Sequence, residues 1–281
     1  MGKLLLLGAS SQIGCFMLPR LRAAGYEVLA VSRRERVDVD GVAWYRGQLP
    51  DGMPRLPPLD AIVSFGPVDH LALWLSGVLL EGAPHIIATS SMSAESKRES
   101  PLPVERAMSQ ILRDAESSLA AACTRQGLAW TLFRPTLVYG AGMDKSLTPI
   151  ARRAMRQRVF PLPAGRGLRQ PVHADDIAQA AMAAIGNSDA AGRIFPLGGG
   201  ERLTAADMFA RVRRSLPVAT LPLPMPSWLM RAAAMAIPPA RGPVHRLDDD
   251  LIADNSDIER VLGIRPRPFA VDATCWRVDA G

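Results

Sequence analysis

Four leucines, Leu4 to Leu7, run without a polar interruption into the turn Gly8-Ala9-Ser10-Ser11-Gln12-Ile13-Gly14. A strand apolar on both faces must be covered on both faces, which is the condition of a parallel sheet. Short apolar runs then alternate with helical periodicity: strands over residues 4–8, 27–32, 42–45, 61–65 and 85–89, and helices over 12–24 and 70–80. That alternation builds βαβ units, so the predicted fold class is α/β, a Rossmann-type doubly wound parallel sheet. Pro19 falls inside the first helix, where a kink is expected. A polar loop over 90–103 leads to a helix over 104–125, with Met108, Ile111, Leu112, Ala115 and Leu119 on one face and Gly127 closing it. A strand over 129–138 follows, and beyond Tyr139-Gly140 the pattern becomes irregular and rich in Pro and Gly. Within that part a strand over 169–172 and a helix over 175–185 are expected to return to the main sheet. The expected organisation is a dinucleotide-binding domain of residues 1–142 plus about 170–198, and a smaller, lid-like, substrate-side subdomain of 143–169 plus 199–281. Open α/β sheets bind ligands at the C-terminal edge, beneath such a subdomain.

Composition narrows the function classes. With 281 residues, 48% apolar and 21% charged, the chain can bury a full core. The net charge is +6, but all basic residues except Lys3, Lys97 and Lys145 are arginines scattered without a long run, and only 5% of residues are aromatic. That pattern lacks the basic stripe interleaved with aromatics that nucleic-acid binding requires. Cys15, Cys123 and Cys275 are odd in number and far apart, and His70, His85, His173 and His245 have no ligand spacing. Neither a disulfide framework nor a metal site is predicted, and a reducing cytoplasm fits. The first apolar run is too short for a signal peptide, and Leu6 stands where a myristoylation motif needs Ser or Thr. Residues 215–230 are uncharged but carry Pro217, Pro222, Pro224 and Pro226, so they cannot span a bilayer. Residues 228–237, from Trp228 to Ile237, are expected to pack over the substrate side of the sheet, with a membrane or protein-partner surface as the alternative.

The turn after the first strand carries the chemistry. Gly8 allows a tight turn, Gly14 lets helix and strand approach closely, and the helix start offers unpaired N–H groups and a positive dipole end to a pyrophosphate. Ser10 and Ser11 add hydroxyl donors, with Gln12 and Ile13 completing the cofactor-binding turn. Ser11 stands where the glycine pattern has its middle glycine, a position of close approach whose backbone conformation favours glycine. The second strand ends in Ser32-Arg33-Arg34, where an NAD site would place a carboxylate on the ribose 2′-hydroxyl. Two guanidinium groups in its place predict NADP (NADPH) rather than NAD. The alternative is that Arg33, Arg34 and Arg36 form an ordinary solvated basic loop.

Four segments, in this order, resemble the short-chain dehydrogenase/reductase superfamily in its extended or atypical, epimerase/dehydratase-like branch. They are the Gly8 to Gly14 turn, the strand end from His85 to Ser91, Arg134-Pro135-Thr136-Leu137-Val138-Tyr139-Gly140, and Gln170-Pro171-Val172-His173-Ala174-Asp175-Asp176-Ile177-Ala178. The tail Leu262-Gly263-Ile264-Arg265-Pro266-Arg267-Pro268-Phe269 is also similar. The resemblance implies that the loop after Pro135, with Val138, lies beside a nicotinamide, and that Asp176 fixes the fold near the substrate cleft. It implies that Ser90 and Ser91 match the serines that hydrogen-bond the substrate oxygen in relatives. Phe65 and Gly66, at the end of the strand over 61–65, are assigned to the cofactor, as is Ser90.

Family enzymes work through a Tyr-x-x-x-Lys pair on one helical face. Here Tyr26, Tyr45 and Tyr139 are followed four residues later by Ala30, Leu49 and Met143, so no such pair exists. If Ala115-Glu116 sets the register, Met108 and Leu112 take the two positions, and neither side chain shuttles protons. Ser91 is then the candidate catalytic residue, orienting substrate; Lys97, flanked by Glu95 and Glu99, and the His173 and Asp176 pair are weaker ones. Three readings follow. The chain is an NADP(H)-dependent oxidoreductase with an altered proton relay, acting on a small carbonyl or conjugated double bond. Alternatively it is a non-catalytic NADP(H) sensor or accessory subunit with a protein partner on residues 228–237. The third, a sugar-nucleotide epimerase, requires the missing tyrosine and NAD.

Overall fold

The computed structural model describes residues 2–236, 242, 244 and 246–277; His245 and Ile237 lie outside the described residues. In chain order the strands are β1 (Lys3–Leu7), β2 (Glu27–Ser32), β3 (Val42–Arg46), β4 (Ala61–Ser64), β5 (His85–Thr89), β6 (Trp130–Pro135), β7 (Val138–Tyr139), β8 (Val159–Pro163), β9 (Leu168–Arg169), β10 (Val172–His173), β11 (Arg193–Leu197), β12 (Leu203–Thr204) and β13 (Leu221–Met225). The helices are α1 (Gly14–Ala23), α2 (Val68–Gly77), α3 (Ser93–Ser96), α4 (Pro103–Arg125), α5 (Thr148–Gln157), α6 (Ala174–Ala184), α7 (Ala205–Arg214) and α8 (Ser227–Ala236). They fall into two compact units: residues 1–135, 174–197 and 254–265, and residues 136–173, 198–253 and 266–281.

The first unit is a seven-stranded sheet in the order β11-β6-β5-β4-β1-β2-β3, with every pair parallel. Leu4, Leu5, Leu6, Ile62, Val63, Ile86 and Ile87 are all fully buried, as uninterrupted apolar strands in a two-sided sheet must be. Strand order reverses at β1, between β4 and β2, so β1 ends at the switch point of the doubly wound sheet. The α1 helix continues four residues past Pro19 to Ala23. It is tied to α6 by a two-pronged contact of Arg20 with Asp175, at 2.8 and 2.9 Å.

Several elements differ from the sequence expectation. The apolar run over 129–138 is two strands: β6 joins the main sheet, and β7 pairs with β10 in the second unit. The strand expected over 169–172 is likewise split between β9 and β10, each in a separate two-stranded sheet, because Gln170 and Pro171 interrupt it. The main sheet instead gains β11, whose sequence Arg-Ile-Phe-Pro-Leu, with one aromatic residue and one proline, has no clean alternation. The polar loop over 90–103 holds the single turn α3. On α4 the buried face is Glu105, Ser109, Ala115, Glu116, Leu119, Ala122 and Cys123, whereas Met108 is 46% and Ile111 55% exposed. Polar residues were able to face inward there because Glu116 and Ser109 find partners, Arg134 and the Ala94 carbonyl.

At the opposite end of the strands from Gly8, buried His85 contacts the Thr131 hydroxyl at 2.9 Å, and that hydroxyl contacts the Ala190 carbonyl at 2.7 Å. The single hydroxyl proton goes to the carbonyl, so His85 Nε2 is the donor to Thr131. Burial lowers the imidazole pKa below its ordinary value. Over the interval between the folded value and about 6.5, the unfolded chain binds a proton that the folded chain does not. Stability from this group is therefore complete above about pH 6.5 and is lost as pH falls through that interval. His85→Gln should flatten the loss of urea stability between neutral and mildly acidic pH; an unchanged pH profile would contradict the assignment.

The second unit has its own core of Tyr139, Leu147, Ala151, Phe160, Met208, Val212, Phe269 and Trp276. Gln170 fixes its loops, donating to the Gly199 carbonyl and accepting from the Ala253 N–H, each at 2.8 Å. The Trp276 indole donates to Ser215 Oγ at 2.9 Å.

Candidate functional site

Parallel pairing brings the ends of β1, β2, β4, β5 and β6 to one edge of the first unit, and with them Gly8 to Gly14, Ser32 to Arg34, Phe65 and Gly66, Ser90 and Ser91, and Pro135. Val138, the remaining cofactor candidate, stands on β7 in the second unit. The edge is held by backbone bonds that prolong the strands: Phe65 N–H to the Leu7 carbonyl at 3.0 Å, Ser90 N–H to Phe133 at 2.7 Å, and Met92 N–H to Pro135 at 3.0 Å.

Gly8 adopts φ +80, which only glycine takes freely. A Cβ on Gly14 would overlap the Gly8 carbonyl oxygen and lie 2.6 Å from that of Ala9, so helix and turn touch through that glycine. Ser11 explains itself. Arg158 is the one non-glycine described residue with positive φ, so Ser11 needs no left-handed backbone; its Oγ accepts the Gly14 N–H at 3.1 Å, capping the helix start. Ser10 is exposed beside it.

Two buried side-chain oxygens at this edge have no hydrogen-bond partner: Gln12 Oε1 and Ser90 Oγ. Such atoms require water or a ligand. Ser91 is differently engaged, its Oγ accepting the Ser93 N–H at 3.1 Å. The turn without room for a Cβ and the helix start fit a dinucleotide pyrophosphate, while Gln12 Oε1, an acceptor, calls for a donor such as a hydroxyl or amide group of a ligand.

At the end of β2, Ser32 Oγ accepts the Arg34 N–H at 3.1 Å, while Arg33 and Arg34 are exposed and make no ion pair among the described residues. Arg36 lies over the Trp44 ring, 4.9 Å from its centroid. The register places Arg46 of β3 opposite Ser32, a third basic residue at this corner that sequence reading missed because it is distant in sequence. Arg46 is 3.7 Å from Glu35, both largely exposed.

Behind the serines, Arg134 on β6 grips Glu116 of α4 through both guanidinium arms and Glu95 of α3 at 2.7 Å. The hydrogen bond with Glu116 raises the Arg134 pKa. Glu95 is thus held by Arg134. His173 sits on β10 with its ring edge-on to buried Tyr139, centroids 5.1 Å apart, and fills the space over Gly140. Asp176 is buried on α6, in the other unit. Cys123 is buried and its thiol is pushed up to about 12, which makes it unreactive. Among the described residues no metal-binding cluster occurs, and no helix is long and apolar enough to cross a membrane.

Residues 112–198 match the model of the NAD dependent epimerase/dehydratase family. A UDP-glucose 4-epimerase of Vibrio cholerae is 26% identical over 156 residues, 54% of this chain and 47% of that protein, so this chain spans about half the length of that curated relative. Among solved structures, MoeE5 in complex with UDP-glucuronic acid and NAD superposes with a TM-score of 0.72 at 18% identity, over 99% of this chain and 98% of that one. A UDP-glucose 4-epimerase with UDP-glucose from Thermotoga maritima gives 0.68 at 16% identity, over 98% and 96%. At these identities the structural likeness concerns the fold. The motif order and the family match over residues 112–198 resemble the extended branch of the short-chain dehydrogenase/reductase superfamily, and the seven-stranded parallel sheet is the fold that the structural neighbours share.

Proposed function

We propose that the first unit binds NADP(H) and that the chain is an oxidoreductase for a small carbonyl or conjugated substrate, using a proton relay other than a Tyr/Lys pair. The observation that carries this reading is the end of β2, where Arg33 and Arg34 are exposed, Arg46 stands opposite Ser32, and the strand's last residue is Ser32 rather than a carboxylate. A ribose 2′-phosphate takes charge-assisted bonds from guanidinium groups, each worth about 1.5–3 kcal/mol. The NAD in the MoeE5 structure belongs to that protein and its own residues.

A bound nicotinamide supplies hydride exchange; binding, orientation and the proton fall to this chain. Gly8 to Gly14 hold the pyrophosphate through backbone N–H groups, the Ser90 hydroxyl can donate to a ligand oxygen, and Gln12 Oε1 can accept from a ligand hydroxyl or amide. Ser91, whose Oγ acts as acceptor toward Ser93, keeps its own hydroxyl proton for a substrate oxygen and orients it. Serine is a weak acid, so the 10²–10⁴-fold that a positioned general acid typically contributes is forgone unless solvent delivers the proton.

A second reading, a non-catalytic NADP(H) sensor or accessory subunit, is favoured by Met108 and Leu112 at the two positions of the family's pair and by the absence of Tyr and Lys from α4. Epimerase chemistry on a sugar nucleotide, suggested by the Vibrio cholerae relative, lacks its tyrosine here. NADPH turnover by any carbonyl substrate separates the first reading from the second. The three free cysteines support a reducing, cytoplasmic setting.

Arg33→Ala combined with Arg34→Ala should weaken NADPH binding at least ten- to a hundred-fold, the loss expected from one guanidinium–phosphate contact of about 1.5–3 kcal/mol. NADH affinity and the ligand-free melting temperature should stay unchanged. A double variant that binds NADPH as the parent does would remove the assignment.

A further inference from the structure

One stretch of the chain, bounded by Asp207 and Asp248, holds arginine as its only charged residue type. Residues 208–247 contain Arg211, Arg213, Arg214, Arg231, Arg241 and Arg246 with no lysine, aspartate or glutamate, and their +6 equals the formal net charge of the whole chain. Everything outside that stretch is neutral in sum.

The same stretch turns apolar groups to solvent. In β13 every residue from Leu221 to Pro224 is exposed, so the outer strand of this two-stranded sheet is uncovered on both faces. On α8 Trp228, Ala232 and Met235 are exposed at the i, i+4, i+7 spacing of one helical face, with Trp228 70% and Met235 75% exposed, while Met230 is buried. The sequence expectation that residues 228–237 pack away is thus not met by Trp228, Leu229 or Met235. Just before β13, Arg213, Arg214, Leu216, Pro217 and Thr220 line a shallow concavity of about 340 Å³. Arg211 is committed to Glu201 and Arg213 donates to the Thr220 carbonyl at 2.6 Å, whereas exposed Arg214 makes no ion pair among the described residues.

An exposed apolar patch of this kind marks an interaction surface, and its charge selects the partner. We propose that this face docks on an anionic phospholipid surface, with Trp228, Leu221, Leu223 and Met235 entering the headgroup boundary and exposed Arg214 meeting lipid phosphates. A second copy of the chain is disfavoured, because a two-fold interface on this face would bring the exposed Arg214 of both copies together. Strand addition by a peptide is disfavoured, because Pro222 and Pro224 have no N–H to offer along β13. Nucleic acid would require more than one exposed aromatic ring on the face.

The test is co-sedimentation of the full chain with vesicles of phosphatidylcholine, with and without phosphatidylglycerol. Partitioning should be at least about tenfold stronger on the anionic vesicles and fall with added salt. Trp228→Ser, at an exposed position, should weaken it about tenfold, and Arg214→Glu should abolish the anionic preference, both with unchanged far-ultraviolet dichroism. Absence of binding to anionic vesicles, equal binding by Trp228→Ser, or a lipid-free dimer that Trp228→Ser dissolves would each overturn the proposal. None of these outcomes depends on cofactor binding.

Discussion

Gly14→Ala is expected to destabilise the protein by about 3 kcal/mol or more and to abolish dinucleotide binding. The added methyl group would overlap the Gly8 carbonyl oxygen and press on the Ala9 carbonyl, both backbone atoms that no rotamer change can move aside. Relief requires α1 to lift from the turn, which breaks the cap that Ser11 Oγ makes to the Gly14 N–H and misaligns the N–H groups facing the pyrophosphate. Ser11→Ala provides the contrast. It removes the cap without adding bulk, so about 1 kcal/mol is lost while binding survives in weakened form. Urea denaturation and cofactor titration of both variants check this; a Gly14→Ala protein as stable as the parent would show that the close approach is not tight.

The second large effect lies behind the serine loop. Glu116→Ala should cost about 3 kcal/mol, because it leaves the Arg134 guanidinium buried with one partner removed. The Glu116 side chain is only 3% exposed, so water cannot replace it, and the remaining carboxylate, Glu95, is far more open to solvent. Replacing the pair together, Arg134→Met with Glu116→Leu, should cost less than Glu116→Ala alone, since no charge is stranded. The double change also frees α3 from β6, because Arg134 is what holds Glu95. Its cofactor affinity should therefore fall although its stability partly recovers. Equal losses for the single and double variants would mean that the pair is not coupled.

The parallel sheet was legible because buried strands need uninterrupted apolar runs, and Leu4 to Leu7, Ile62 and Val63, and Ile86 and Ile87 supply them. The turn was legible because the φ of +80 at Gly8 and the lack of room for a Cβ at Gly14 leave few substitutes. What escaped reading is of two kinds. Polar residues facing inward, such as Glu116 and Ser109 on α4, are invisible to hydrophobic periodicity, which instead favoured Met108 and Ile111, both exposed. Long-range pairs, Arg20 with Asp175 and Arg46 opposite Ser32, depend on topology that no local pattern encodes. The run over 129–138 looked like one strand because Thr136 and Leu137 are compatible with either sheet, and only pairing divides it. At the candidate site, the positions of Ser10, Ser11, Gln12 and Ser90 on one edge follow from the sheet order, but the unpartnered state of Gln12 and Ser90 needed coordinates.

The most direct test of the central claim is a parallel titration of the purified chain with NADPH and NADH, followed by thermal stabilisation. A ligand that binds only the folded state adds about 2.7 kcal/mol at a hundred times its dissociation constant. The arginines at the end of β2 predict that NADPH stabilises the chain at concentrations ten- to a hundred-fold below those of NADH. Stabilisation by neither, or by both equally, would contradict the account.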